Sequence, residues 1–272
     1  MYSGTTLRTK SGRVLGAHQK IDRLARRNLK RMIPRVSNFP HITAILHFEG
    51  RNGPDGIKAK SPGQNEPWHY IDPNNPDDRQ LFQLIEDHTC NLAQALRDNE
   101  TERAAFEAAW LAHAIVDGLT PAHHYPLAEK IEELWGKPHT ERTTIRDKNI
   151  IRGDTRRDSL RKNWEYWGAK GIFTTHFMFE FGFATTISPL RYNDLAPTPD
   201  DIARVKQEGI LPLFEETLHA LHAQDMYKDF YKHGWTAGLA RKSRVFLAPA
   251  IINLVTLAWY AAYNTSQKDS SR

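Results

Sequence analysis

The sequence has little cysteine, no long apolar run near its start and no strand-like alternation. Its only cysteine among 272 residues is Cys90, which excludes a disulfide framework and a cysteine-rich zinc finger. Any metal ion would therefore be held by histidine and carboxylate side chains. Residues 1–20 lack the apolar stretch of about seven to fifteen residues that marks a secretory signal peptide. We therefore expect a soluble or peripheral protein rather than an integral membrane protein.

The positive charge of the chain is local. The formal net charge is +5, yet residues 1–35 contain ten basic side chains and one acidic one, so the rest of the chain is net negative by four. Residues 18–33 place apolar and basic side chains on opposite faces of a predicted helix. The basic face carries five side chains, which are Arg23, Arg26, Arg27, Lys30 and Arg31. It indicates either a solvated face or attraction to nucleic acid or an anionic membrane surface.

Helical periodicity dominates the chain. It predicts helices over about 18–33, 78–97, 102–118, 124–135, 156–166, 170–187, 199–223 and 240–263. Residues 38–77 are rich in proline, glycine and asparagine and have no sustained period, which predicts a long irregular loop. The sequence thus predicts an all-α fold in which residues 1–272 form a single multi-helix bundle. Residues 1–17 form a basic N-terminal lead to it.

The longest apolar run lies near the end of the sequence. Residues 245–263 follow three basic side chains and are 19 residues long, which is the lower limit for a membrane span. Pro249, Asn253 and Thr256 interrupt the run. Because a helix that is apolar all round is either the centre of a large core or a span, we favour a buried terminal helix over about 240–263, with membrane association as the alternative.

Two histidine–carboxylate pairs have the spacing of one helical turn. His113 and Asp117 stand four residues apart, and His123 follows a proline that should end their helix. His176 and Glu180 repeat the spacing among apolar neighbours, where unpaired polar groups would be costly to bury. An imidazole and a carboxylate one turn apart can bind one zinc ion, and the carboxylate can bridge to a second. Either pair alone is weak evidence, because such pairs are common as surface hydrogen bonds.

Three further residues strengthen the pattern. His18 lies on the apolar side of the first predicted helix, while Asp55 and His69 lie in the predicted irregular loop. Together with the two pairs and His123, they make more ligands than one zinc ion needs. The sequence therefore predicts a site for more than one metal ion.

The order of these residues resembles the superfamily of zinc-dependent bacterial phospholipases C and fungal single-strand nucleases. The resemblance covers about residues 14–185. Its ordered elements are His18, Asp55 with His69 fourteen residues later, HAIVDGLTPAH from His113 to His123, and HFMFE from His176 to Glu180.

The resemblance implies an all-α fold around two or three zinc ions. Its first ligand set is Asp55, His69, His113 and a bridging Asp117. Its second set is His123, His176 and Glu180. The third ion is expected near His18 and Asp117. In the family an N-terminal tryptophan completes the third set, whereas this chain begins with Met1 and has no tryptophan before Trp68.

The predicted site suits the cleavage of phosphate esters. Zinc ions about 3.5 to 4 Å apart can bind both oxygens of an in-line displacement and generate hydroxide near neutral pH. We therefore expect metal-bound hydroxide to attack phosphorus, with Asp55 a zinc ligand and the catalytic residue that orients the water. The long N-terminal lead favours a phospholipase C-like hydrolase of phospholipid. The alternatives are a single-strand nuclease-like phosphodiesterase and a metal-binding protein that is non-catalytic or membrane-associated; no protein partner is predicted.

Overall fold

The fold is helical throughout the part of the chain that the structure describes. A computed structural model of the protein describes residues 16–61, 69–193 and 195–268. These residues form helices, turns and loops and contribute to no strand, which confirms the predicted all-α class. The predicted lead over residues 1–17 lies almost wholly outside the described residues.

The helices follow one another with short connections. In chain order they are α1 (Ala17–Met32), α2 (Ile42–Ile45), α3 (Pro54–Lys60), α4 (Gln80–Arg97), α5 (Thr101–Gly118), α6 (Leu127–Trp135), α7 (Ile145–Asn149), α8 (Arg156–Trp167), α9 (Ile172–Ile187), α10 (Pro199–Glu208), α11 (Leu211–His222), α12 (Met226–His233), α13 (Ala237–Lys242) and α14 (Ala248–Lys268). Short 3-10 turns occur at Gly50–Asn52, Pro121–His124 and His139–Glu141. A π-helical turn, Ser243–Leu247, joins α13 to α14, so that Ala237–Lys268 is one continuous helical stretch.

The centre of the bundle consists of α1, α4, α5 and α14. Helix α14 packs against the other three, and α4 lies along α5. Alanines on the buried faces of α5 allow these neighbours to approach closely. The buried indole of Trp259 on α14 donates a hydrogen bond of 2.9 Å to the carbonyl of Ala108 on α5. This bond fixes the register between α14 and the helix that carries His113 and Asp117.

The last apolar segment lies inside this bundle. Among the described residues, Ala237–Lys268 is the one helix long and apolar enough to cross a membrane, and 72% of its apolar window is buried. A buried core helix has the same length and composition, so the helix is weak evidence for a span. The terminal helix is buried as predicted, and it runs to Lys268, beyond the predicted end at residue 263.

Several predicted boundaries are wrong. The described part of the predicted loop over 38–77 contains α2 and α3, because Pro54 at the first position of α3 has a backbone angle already suited to a helix. The predicted helix over 199–223 is two helices, since Gly209 with φ of 80° ends α10. Helix α12 has no counterpart among the predicted helices, and it starts after Asp225 in a left-handed conformation.

Helix α8 lies in an outer layer against α9. The buried ring of Tyr166 on α8 stacks on Phe173 of α9, with ring centroids 5.5 Å apart. The Asn163 side chain on α8 accepts a hydrogen bond from the backbone N–H of Ile151 and donates one to its carbonyl, at 3.1 and 2.6 Å. One face of α8 is thereby fixed to α9 and to the segment after α7, which leaves the opposite face towards solvent.

Candidate metal centre

His113 and Asp117 lie on adjoining turns of α5, as their spacing predicts. Both are fully buried, and Nε2 of His113 lies 3.1 Å from Oδ2 of Asp117. Gly118 allows this end of α5 to pack, because a Cβ atom there would lie 2.4 Å from the side chain of Leu81 on α4. A carboxylate placed this deep needs compensating positive or hydrogen-bonding groups.

Four imidazole rings surround Asp117. Its Oδ2 lies 3.1 Å from Nε2 of His113 and 3.2 Å from Nδ1 of His69. Its Oδ1 lies 3.3 Å from Nε2 of His18 and 3.6 Å from Nε2 of His123. Burial raises the pKa of the Asp117 carboxyl, but the neighbouring His123 and His113 rings lower it by a larger amount. The net result is a pKa well below its usual range. The two oxygens thus face different histidines, as those of a bridging carboxylate do.

His123, His176 and Glu180 form a second buried group. Oε1 of Glu180 lies 3.0 Å from Nε2 of His123 and 3.0 Å from Nε2 of His176. His123 belongs to the 3-10 turn after α5, and the other two are one turn apart on α9. Burial raises the pKa of the Glu180 carboxyl, while His176 and His123 lower it to well below its usual range. The ring of Tyr70 stacks on His123, with centroids 4.8 Å apart.

His18 reaches the first group from α1. Its ring stacks on that of His113, with centroids 3.9 Å apart and planes within 8° of parallel. One donor atom from each of His18, His113 and Asp117 lies within 4.8 Å of the others, and the same is true of His123, His176 and Glu180. The structure therefore groups His18 with both His113 and Asp117, whereas the resemblance assigns His113 to the first ion and His18 to the third.

Asp55 and Lys58 form the edge of the first group. Asp55 lies on α3 and not in a loop, it is half-buried, and its Oδ1 lies 3.7 Å from Nε2 of His113. Lys58 follows on the same helix, with Nζ 3.8 Å from Oδ2 of Asp117. Burial raises the pKa of the Asp55 carboxyl, but His113 and Lys58 lower it to below its ordinary value. All eight predicted ligands therefore lie in one chain of contacts around Asp117 and Glu180.

Glu49 is a member of the site that the sequence pattern does not reveal. Its buried Oε1 accepts a hydrogen bond of 3.0 Å from Nδ1 of His113 and one of 3.1 Å from the backbone N–H of Gly50. Histidine ligands commonly donate their second ring N–H to a carboxylate, which fixes the tautomer and the ring orientation. Glu49 stands in that relation to His113.

Asp22 is a second member that was not predicted. It follows His18 by one turn of α1, it is 1% exposed, and neither carboxyl oxygen has a hydrogen-bond partner among the described residues. Burial and the nearby Glu49 carboxylate raise the pKa of Asp22 well above its usual value, which favours the protonated acid. The spacing from His18 to Asp22 equals that of the two predicted pairs, so the sequence does contain a signal for it.

The contacts of His123 test whether these side chains fit a metal ion. Burial lowers the pKa of His123 to about 4, so the ring is neutral at pH 7 and carries one N–H. Nδ1–H donates to the carbonyl of His69 at 3.1 Å. Nε2, the nitrogen without a hydrogen in that neutral ring, lies 3.0 Å from Oε1 of Glu180. Zinc takes imidazole and carboxylate ligands, so these two atoms have the chemistry and the proximity to bind one ion.

His113 fits a metal ion for a different reason. Its Nδ1 contacts Glu49 and its Nε2 contacts Asp117. Burial lowers the pKa of His113, but the two carboxylates outweigh burial and raise it to about 10. The metal-free ring is therefore positively charged. A zinc ion at Nε2 would replace that proton while Nδ1–H remains on Glu49. Binding of zinc should therefore release a proton.

Comparison with models of known protein families, with characterised proteins and with solved structures finds no significant match to this chain. The resemblance to the zinc-dependent phospholipase C and nuclease superfamily therefore stays a prediction. It rests on the order of the ligand residues, to which the geometry above adds their convergence.

Proposed function

We propose that the protein is a zinc-dependent phosphodiester hydrolase of the phospholipase C type, with two or three zinc ions. Its metal ligands are His18, Asp55, His69, His113, Asp117, His123, His176 and Glu180. The observation that carries the proposal is Asp117, whose two oxygens face separate sets of imidazoles beside a second buried histidine–glutamate group.

The chemistry that zinc ions would supply at this site defines the reaction class. If bound by these ligands, closely spaced zinc ions would activate water and neutralise charge on phosphate oxygens, which is the requirement of phosphodiester hydrolysis. Such a reaction needs no serine or cysteine nucleophile from the protein, and the one cysteine, Cys90, is exposed on α4, a helix that carries none of the predicted ligands.

Side chains at the edge of the first group have the positions to act on a substrate. Asp55 is only half-buried, so its second oxygen can accept a hydrogen bond from water or take up its proton. The ammonium of Lys58, 21% exposed and 3.8 Å from Asp117, can pair with a phosphate oxygen at the same edge. Burial and the Glu180 carboxylate raise the pKa of Tyr70 well above its usual value, so its hydroxyl keeps its proton as a donor.

The basic face of α1, which could attract nucleic acid or an anionic membrane surface, is partly used by contacts within the protein. Nε of Arg26 donates to the carbonyl of Pro40 at 2.9 Å, and Nη2 of Arg27 donates to that of Arg191 at 3.1 Å. These guanidinium groups fix α1 to neighbouring loops. Less of their hydrogen-bonding capacity is therefore left for either kind of polyanion, so this face does not decide between the lipase and the nuclease alternatives.

Zinc content and product analysis test the proposal together. Zinc-loaded protein should release a phosphorylated headgroup and diacylglycerol from mixed phospholipid vesicles, and chelation should abolish the reaction and lower the melting temperature. Release of mononucleotides from single-stranded DNA or RNA, with the vesicles untouched, would overturn the lipase assignment. Stoichiometric zinc without hydrolysis of either substrate would leave a metal-binding protein that is not an enzyme.

Two matched pairs of variants locate the chemistry. Asp55→Asn should abolish hydrolysis, whereas Asp200→Asn, at an exposed position on α10, should not. His176→Ala should lose zinc, whereas His219→Ala, at an exposed position on α11, should retain it. Equal activity in the two aspartate variants would contradict the role of Asp55.

A further inference from the structure

Helix α8 presents its large apolar side chains to solvent. Leu160, Trp164 and Trp167 recur at helical spacing, so that they lie along one face, and they are 74%, 72% and 44% exposed. The opposite face packs inward through Tyr166, which is buried. A helix of a soluble protein normally turns such an apolar stripe to the core. A stripe that faces solvent indicates a surface that contacts something else.

The same face is basic. Arg156 and Arg157 are exposed at the start of α8, and their helical positions flank the apolar stripe on either side. Residues 145–170 contain eight basic and four acidic side chains, so this segment has a local net charge of +4. The partner of this surface is therefore expected to be both apolar and negatively charged.

Neighbouring elements extend the apolar area. The indole of Trp167 donates a hydrogen bond of 2.8 Å to the carbonyl of Asn149, the last residue of α7. That bond places Ile150, which is 44% exposed, next to the end of the stripe. Met178, on the helix against which α8 packs, is 44% exposed as well. The surface thus contains aliphatic as well as aromatic side chains.

Two hydrogen bonds connect the elements around this surface to elements that carry the metal centre. Lys148 of α7 donates a hydrogen bond of 2.6 Å to the carbonyl of Lys58, the lysine whose ammonium lies 3.8 Å from Asp117. Thr174 lies on α9, two residues before His176, and its hydroxyl donates a hydrogen bond of 2.8 Å to the carbonyl of Trp167. A molecule seated on the stripe would therefore lie beside the edge of the site.

We infer that the α8 surface, defined as Arg156, Arg157, Leu160, Trp164 and Trp167, binds an anionic lipid bilayer. Helices that lie in a membrane interface combine tryptophan and leucine with neighbouring arginine. The aromatic rings enter the headgroup region, and the guanidinium groups bind anionic lipid. Single-stranded nucleic acid also uses aromatic and basic side chains, but its bases gain no stacking from leucine, isoleucine or methionine. The inference rests on the proposed function in one respect, because this surface would bring the phospholipid substrate to the metal centre. Binding to vesicles can nevertheless be measured independently of any hydrolysis.

Flotation with vesicles measures the binding directly. The full chain should bind phosphatidylcholine vesicles that contain about one-third phosphatidylserine, and should bind pure phosphatidylcholine weakly. The double variant Leu160→Ser, Trp164→Ser should bind about tenfold or more weakly, and the tryptophan fluorescence shift on binding should shrink. Arg156→Gln with Arg157→Gln should weaken binding most at low salt.

Two control variants make the same changes elsewhere. Val36→Ser removes a side chain that is 96% exposed, and Lys30→Gln with Arg31→Gln removes two exposed charges from α1. Both should bind vesicles like the unchanged protein. Because the substituted α8 side chains are exposed, all variants should keep their zinc content and helical circular dichroism.

Three results would overturn the inference. The first is vesicle binding that the α8 variants leave unchanged, the second is tight binding of single-stranded DNA that they abolish, and the third is a dimer that they dissociate. An assay with a water-soluble phosphodiester, which needs no vesicle, tests the proposed function separately from membrane binding. Hydrolysis without vesicle binding removes the inference alone, whereas vesicle binding without hydrolysis removes the proposed function and leaves the inference standing.

Discussion

The two donor groups use the same residue types but lie differently in the fold. The group around Asp117 draws on α1, α5 and the segment after α3, which meet in the centre of the bundle. The group around Glu180 draws on α9 and the turn after α5. His18, His113 and Asp117 are completely buried, whereas His176 and Glu180 are each 7% exposed. These three side chains of the first group are therefore enclosed completely, whereas the second group, carried by α9 and the turn after α5, lies slightly closer to solvent.

This difference indicates that the two groups contribute differently to the protein. A change in the Asp117 group should alter the stability of the whole bundle, because side chains from the core helices α1 and α5 and from the segment after α3 meet at one carboxylate. A change in the Glu180 group should act mainly on metal binding. The following experiments compare them in order of the expected effect.

Substitution of the two carboxylates should give the largest difference. Asp117→Asn should lose both ions that its oxygens face and about 3–5 kcal/mol of unfolding free energy, because it leaves buried imidazoles without their anion. Glu180→Gln should lose one ion and destabilise the fold less. Metal content by mass spectrometry and urea unfolding measure both effects. Loss of one ion in each variant, with equal destabilisation, would remove the distinction between the groups.

Glu49→Gln tests the support behind the first group. Without the carboxylate that orients His113, zinc affinity should fall about 10- to 100-fold. The matched control is Glu102→Gln, at an exposed position on α5. Competition with a fluorescent zinc chelator measures the affinity. An unchanged affinity would show that the His113 ring is held by packing against His18 alone.

The stability of the zinc-free protein should depend on pH, because the pKa values of its buried histidines are shifted in opposite directions. The pKa values of His69 and His123 are lowered by burial to about 3 and about 4, so the unfolded chain binds more protons and stability falls as pH drops below about 6.5. Burial lowers the pKa of His113, but the carboxylates outweigh burial and raise it to about 10. His113 therefore contributes its full stabilisation of the fold below about pH 6.5 and loses that contribution as pH rises towards 10. Urea unfolding from pH 4 to 10 should therefore give maximum stability near pH 6.5.

One partly buried histidine outside both groups, His124, calibrates that profile. The pKa of His124 is lowered by burial to about 3, and its Nε2 donates to the carbonyl of Gly118. His124→Gln should reduce the acid-side slope without altering zinc content. An acid-side slope that His124→Gln leaves unchanged would mean that other groups control the acid limb.

Asp22→Asn should have the smallest effect. Since burial and Glu49 favour the protonated acid, an amide of the same shape should change the free energy of unfolding by less than about 0.5 kcal/mol. Differential scanning calorimetry at pH 7 measures the change. A loss as large as that of Asp117→Asn would mean that Asp22 is ionised and serves the first group directly.

The sequence predicted the parts of the site that follow from spacing. One helical turn between histidine and carboxylate placed His113 with Asp117 and His176 with Glu180. The apolar side of the first helix placed His18 in the interior. These predictions hold because positions on one helix have a fixed geometry.

The remaining parts depend on contacts that no local pattern encodes. Glu49 stands 64 residues before His113, and the packing of α2 against α5 brings them together. Asp55 lies on α3 because a proline starts a short helix within a segment whose composition predicts a loop. The outward stripe on α8 also reads as ordinary helical periodicity, and only the packing of Tyr166 shows which face is inside.

The position of α14 in the chain affects how the site is made. All eight predicted ligands precede residue 181, and 88 residues follow from there to the end of α14. At roughly 5–20 residues per second, a ribosome needs several seconds to produce that stretch, during which α1 and α5 lack the helix that holds them together. The hydrogen bond from the Trp259 indole to the carbonyl of Ala108 can form only after α14 has been synthesised. The proposed uptake of zinc in the finished geometry would thus be a late event, which nascent chains arrested before and after α14 would reveal by their difference in zinc retention.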